Sequence, residues 1–141
     1  MAAKPVTVEE RLRDIVKWGT SLSRHIQGMT QDQFLTDEKT QHAATKCIES
    51  IGEAAKEILK GEPNFDSRHP NLRLKAAARM RDRLTHGYRE IDLQIVWTTS
   101  TTSVPATTEA AEIVLAEISS LKPNNDGDDG TGGGASGGPP V

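Results

Sequence analysis

At 141 residues, 35% apolar and 4% aromatic, the chain is long enough for one compact domain, too short for two and poorly supplied for a sheet sandwich. No apolar run approaches the roughly 18 residues of a membrane span, the first residues lack a signal core, and the lone Cys47 excludes an internal disulfide, so a cytoplasmic protein is expected. The net charge of −3 excludes a binder coated all over in positive charge, yet residues 66–89 carry seven Lys/Arg against two acids, a local +5 within a remainder of −8.

A first helix is predicted from Val6 to Gln27, capped by Thr7, with Glu9 and Glu10 complementing its dipole. Its buried stripe is Val8, Leu12, Ile15, Gly19, Leu22 and Ile26, at alternating spacings of three and four. Thr30 caps a short turn over 31–35. Asp37 then opens a long helix to Lys60, with Ala44, Cys47, Ile48, Ile51, Ala55 and Ile58 facing inward and Gly61 as its stop. Cys47 falls in that stripe and reads as a core residue rather than a reactive thiol.

A loop bracketed by Pro63 and Pro70 leads to a helix over 71–86, which Gly87 should end in a left-handed conformation. Asp92 caps a further helix through Ile95, Val96 and Trp97. The Thr/Ser run 98–103 with Pro105 should break or kink it before a last helical segment through Ala110, Ile113, Val114 and Leu121. Residues 124–141 hold seven of the twelve glycines and a Pro-Pro pair, and have no apolar face to bury; a disordered tail is expected there. No segment has useful strand periodicity.

One residue breaks the pattern. Leu74, Ala77, Leu84 and Tyr88 share a face of the helix over 71–86, and Arg81 lies between them on that face. A guanidinium against an apolar seam must be ion-paired, for example to Glu49, Glu53 or Glu57, or held at a groove where it meets an anion. His86 follows five residues later, about 140° further around an ideal helix. The two converge only near the helix end or across a two-fold partner. His25, His42 and His69 are scattered without metal-ligand spacing.

The run Arg81 to Tyr88, Arg-Asp-Arg-Leu-Thr-His-Gly-Tyr, resembles the R-x4-H-x-Y signature of HEPN-domain toxins of the HepT-like group. SIGEAAKEI (Ser50 to Ile58) and REIDLQIVW (Arg89 to Trp97) are similar to that group's third helix and to the stretch after its motif. The likeness spans roughly residues 7–121. It departs where Asn71-Leu72-Arg73-Leu74 stands in place of a Pro-Trp pair common before the motif helix, which bears on how that helix is entered.

The resemblance implies an all-α, HEPN-type up-and-down bundle of about five helices over residues 1–122, with a tail over 123–141. It also implies metal-independent cleavage of RNA (tRNA or mRNA) by a homodimer, without a cofactor. His86 would be the general acid or base and Arg81 the cation at the phosphorane oxygens, while Asp82 orients either side chain. Arg79, Arg83 and Arg89 would contact RNA phosphates. Tyr88 would be the residue on which a cognate nucleotidyltransferase antitoxin places AMP. Two other readings keep the fold: a nucleotide- or partner-binding module that does not cut, and a helical dimerisation module in which Arg81 is only ion-paired.

Overall fold

The computed structural model describes residues 6–122; the expected tail over 123–141 lies outside the described residues. Helix α1 (Val8–Ile26) opens on a reciprocal cap: the Glu10 N–H donates to Thr7 Oγ1 at 3.0 Å and the Thr7 N–H to Glu10 Oε1 at 2.9 Å. Thr30 and Gln33 cap α2 (Gln31–Leu35) in the same way. Asp37 accepts from the Thr40 N–H at 3.1 Å to start α3 (Glu38–Gly61). A single turn, α4 (Phe65–Arg68), precedes α5 (Leu74–His86). Asp92 caps α6 (Leu93–Thr98), which passes through a π turn (Thr99–Ser103) into α7 (Val104–Leu121). All regular structure among the described residues is helical, and no helix among them is long and apolar enough to cross a membrane.

The side-chain contacts give the directions. Glu9 pairs with Lys122 at 2.6 Å, and Gly19 meets Thr108, so α1 and α7 run antiparallel. Trp18 packs beside Lys46 while Arg11 and Asp14 lie across from Glu53, so α1 and α3 are antiparallel too. His42 and Thr45 face Leu84 and Thr85, and Gly52 faces Ala77 and Arg81, which makes α3 and α5 a third antiparallel pair. The expected up-and-down bundle results. Its core runs through Leu12, Ile15 and Leu22 of α1, Cys47, Ile51 and Ile58 of α3, Leu74 and Leu84 of α5, and Ala111 and Val114 of α7. Burial raises the Cys47 thiol above its ordinary pKa, in keeping with its core reading.

Two local expectations need correction. The motif helix begins at Leu74, because Pro70–Leu72 forms a 3-10 turn and Arg73 takes a left-handed conformation (φ 55°). Asp66, eight residues back, accepts from the Leu74 N–H at 2.9 Å and caps α5 from a distance. Thr107 of α7 donates to the Leu72 carbonyl at 3.1 Å, tying that turn to the bundle. Gly87 ends α5 with φ −127°, not left-handed; its N–H reaches the Arg83 carbonyl at 2.8 Å without a reversal. The expected interruption after α6 is present: the helix ends at Thr98, a π turn spans Thr99–Ser103, and Pro105 falls in the first turn of α7. The wider π turn just ahead of it relieves the clash a proline ring makes with the preceding turn, and the Ser100 hydroxyl bonds the Val96 carbonyl at 2.8 Å.

Candidate functional site

The motif lies on the C-terminal half of α5, where that helix crosses α3. The crossing is so close that a methyl group at Gly52 would overlap Arg81 Cβ and lie 2.7 Å from the Ala77 carbonyl oxygen. Glycine at 52 therefore lets the α5 backbone sit directly on α3 and presses the base of the Arg81 side chain between the helices. The guanidinium emerges at the rim, with the side chain 24% exposed.

Two carboxylates hold it there. Arg81 donates from NH1 to Asp82 Oδ1 at 3.1 Å, and its NH2 lies 3.3 Å from Glu53 Oε1. Lys56 Nζ approaches the same Asp82 oxygen at 3.5 Å. The hydrogen bond from Arg81, and secondarily the charge of Lys56, keep the Asp82 carboxyl below its ordinary pKa, so Asp82 stays ionised. Of the three glutamates considered from the sequence, Glu53 is the partner. A guanidinium has five N–H donors, so these contacts leave others open to an anion.

The remaining motif residues lie elsewhere on the helix. Arg79 and Arg83, each two residues from Arg81, are turned about 160° away from it. They line a groove of about 630 Å³ between α5 and the α6–α7 arm, with Met80, Ile95 and Val104 in its wall. His86 is exposed, at the last residue of α5. It lies about 20° around the axis from Arg79 and about 60° from Arg83, so it shares their side and not that of Arg81. Arg89 is exposed in the 3-10 turn Tyr88–Glu90 that follows. Within one protomer, then, the helix groups His86 with Arg79 and Arg83 and sets Arg81 beside Glu53, while Asp82 bonds Arg81 and also lines the groove of Arg79 and Arg83.

On the Arg81 side a second groove, of about 370 Å³, runs between α1, α3 and α5. It brings Trp18, Lys46, Glu49, Glu53 and Thr85 alongside Arg81. Sequence reasoning assigned no role to Trp18, Lys46 or Gly52. Gly52 stood inside the SIGEAAKEI stretch, and a glycine in mid-helix is the one local signal that could have marked a close crossing. Among the described residues no group of three or more His, Cys, Asp or Glu is placed to hold a metal ion.

Comparison with known proteins gives a family match described as Ribonuclease HepT-like over residues 10–114. "Probable ribonuclease HepT" of Thermococcus cleftensis is 34% identical over 99 residues, covering 70% of this chain and 86% of that protein. "Putative RNase MJ0127" of Methanocaldococcus jannaschii is 33% identical over 109 residues, covering 77% and 82%. A second protein of that organism, "Putative RNase MJ1216", is 28% identical over 114 residues, covering 81% and 92%. No solved structure gives a significant match.

Proposed function

The chain belongs to the HepT-like ribonuclease family, and from that premise we propose a metal-independent RNA endonuclease, the toxin of a toxin–antitoxin pair, working as a homodimer. The observation that carries this reading is Arg81. It is clamped at a helix crossing that only glycine permits, oriented by an ionised Asp82, and left with free N–H groups at a groove. A guanidinium so fixed suits the non-bridging oxygens of a phosphorane, because its orientation is settled before charge develops.

In the proposed reaction the RNA's 2′-hydroxyl attacks the neighbouring phosphorus and the 5′-oxygen leaves. His86 takes the proton of the hydroxyl or delivers one to the leaving oxygen, an imidazole having one nitrogen to accept and one to donate. The helix geometry supports the dimer. One α5 turns Arg81 and His86 about 140° apart, and a second copy related by a two-fold axis supplies the complementary group. Arg79, Arg83 and Arg89 then contact flanking phosphates. A cognate nucleotidyltransferase antitoxin silences the enzyme by joining AMP to the Tyr88 hydroxyl, since the added negative charge repels the RNA backbone.

The test is cleavage of total RNA by purified protein in excess chelator. Wild type is expected to cut, and His86→Ala to lose about 10²- to 10⁴-fold in rate. Loss of all cutting on chelation, or equal cutting by the variant, overturns the mechanism. In the same preparations, co-expression with the nucleotidyltransferase should add an adenylate mass to wild type and none to Tyr88→Phe; modification of that variant removes Tyr88 as the acceptor. The ion pairs of Arg81 with Glu53 and Asp82 favour a second reading, a helical homodimer that binds nucleotide or partner without cutting. Protein that retains RNA but leaves it intact at every concentration selects that one.

A further inference from the structure

The groove beside Arg81 has a composition unlike a phosphate track. Three cations, Arg11, Lys46 and Arg81, face three carboxylates, Asp14, Glu49 and Glu53, so its charges cancel. A run of phosphates gains nothing from a neutral groove. A neutral, flat group with hydrogen-bond donors on its edge gains a great deal.

One wall is Trp18. Its indole is half-buried, and its N–H meets no protein acceptor among the described residues. That N–H is not sealed away from solvent, so it is available to donate to a ligand in the groove. Lys17 and Lys46 hold their ammonium groups 5.6 and 5.9 Å from the ring centroid. Both are long and flexible, and a ligand displaces them at little cost. The opposite wall offers Glu49, which has no ion-pair partner among the described residues and is free to accept. Arg81 closes the end.

We propose that this groove receives one unpaired nucleobase of the RNA substrate, stacked on Trp18, with its exocyclic amine donating to Glu49 while the adjoining phosphate reaches Arg81. The proposal rests on the ribonuclease reading above. It adds a specificity element, because adenine, cytosine and guanine carry such an amine and uracil does not. Trp18 and Glu49 are on this view positioning residues. They seat the base and thereby set which phosphate meets the guanidinium.

The experiment uses the full chain carrying Trp97→Phe, which leaves Trp18 as the single tryptophan. Trp97 packs against Phe34 with the rings tilted and their centroids 5.2 Å apart, and phenylalanine keeps an aromatic ring there. Short single-stranded oligo(A), oligo(C) and oligo(U), made with 2′-O-methyl sugars so that they cannot be cut, are titrated while tryptophan emission is read. Binding is followed in parallel by anisotropy of a labelled end. Oligo(A) and oligo(C) should quench strongly and bind more tightly than oligo(U). Trp18→Ala should weaken oligo(A) by about 5- to 150-fold, Trp18→Phe should restore much of it, and Glu49→Gln should narrow the gap between A and U without lowering the melting temperature.

Binding with no quenching, or with oligo(U) equal to oligo(A) in wild type, overturns the base site while unmodified RNA is still cut, which leaves the ribonuclease reading standing. Absence of both binding and cutting removes the two together.

Discussion

The two sides of α5 are built on opposite principles. One is pressed against α3 through Gly52, and its single cation, Arg81, is held by Asp82 and Glu53. The other side carries Arg79 and Arg83 over an open groove, with His86 at its end, and none of the three has an ion pair among the described residues. The clamped side gives up mobility and net charge to gain a fixed direction. The open side keeps net charge, which draws a polyanion from a distance but does not orient it. A helix thirteen residues long thus separates aiming from attraction simply because neighbours two apart project to opposite sides.

If that division is right, substitutions on the two sides should damage different quantities. Arg81→Ala should lower the cleavage rate about 10²- to 10³-fold with modest change in RNA binding. Arg79→Ala and Arg83→Ala should each weaken binding and reduce the log–log salt slope by about 0.7, with the rate at saturation largely kept. Rates and salt-dependent affinities measured on the same RNA decide the matter. An Arg83→Ala enzyme slowed as severely as Arg81→Ala would break the comparison.

Stability offers the next largest contrast. Gly52→Ala forces a methyl group into Arg81 Cβ and the Ala77 carbonyl, and overpacking of this kind costs about 1–3 kcal/mol. Gly61, at the end of the same helix, has open space around it. There an alanine should be neutral or stabilising by up to about 1 kcal/mol. Urea unfolding of the two variants checks this, and a Gly52→Ala protein as stable as wild type would mean the crossing is not tight.

Most of this scaffold was readable from residue order because its signals are local. Thr7, Thr30, Asp37 and Asp92 each cap a helix within three residues of themselves, and the stripes of α1 and α3 follow from spacing alone. The family resemblance likewise rested on a contiguous run, Arg81 to Tyr88. What stayed hidden depends on residues distant in the chain. Nothing near Arg73 announces a left-handed residue; that conformation follows from Asp66 capping Leu74 and Thr107 holding Leu72. The choice of Glu53 among three glutamates needed the antiparallel register of α3 and α5, which periodicity does not fix. The separation of Arg79 and Arg83 from Arg81 was implicit in the helical angle already used for His86, but the groove each side lines depends on how α5 packs against α3 and the α6–α7 arm.

The smallest effect concerns what keeps Arg81 aimed as the solution turns acid. In the folded protein the Asp82 carboxyl sits below its ordinary pKa, chiefly through the hydrogen bond from Arg81 and then through the charge of Lys56. A lowered folded-state pKa means the contact contributes fully above the unfolded value, about 3.9 for aspartate, and fades only as pH falls through the still lower folded value. Between neutrality and about pH 5 the Arg81–Asp82 pair should therefore not change, and any fall in cleavage over that range must come from another group. A carboxyl-carbon NMR titration of Asp82 reads this directly. Arg81→Ala should move the midpoint upward, and Lys56→Ala should move it less. A midpoint unmoved by Arg81→Ala would show that the two side chains are neighbours without being partners, and Asp82 would lose its claim to orient the guanidinium.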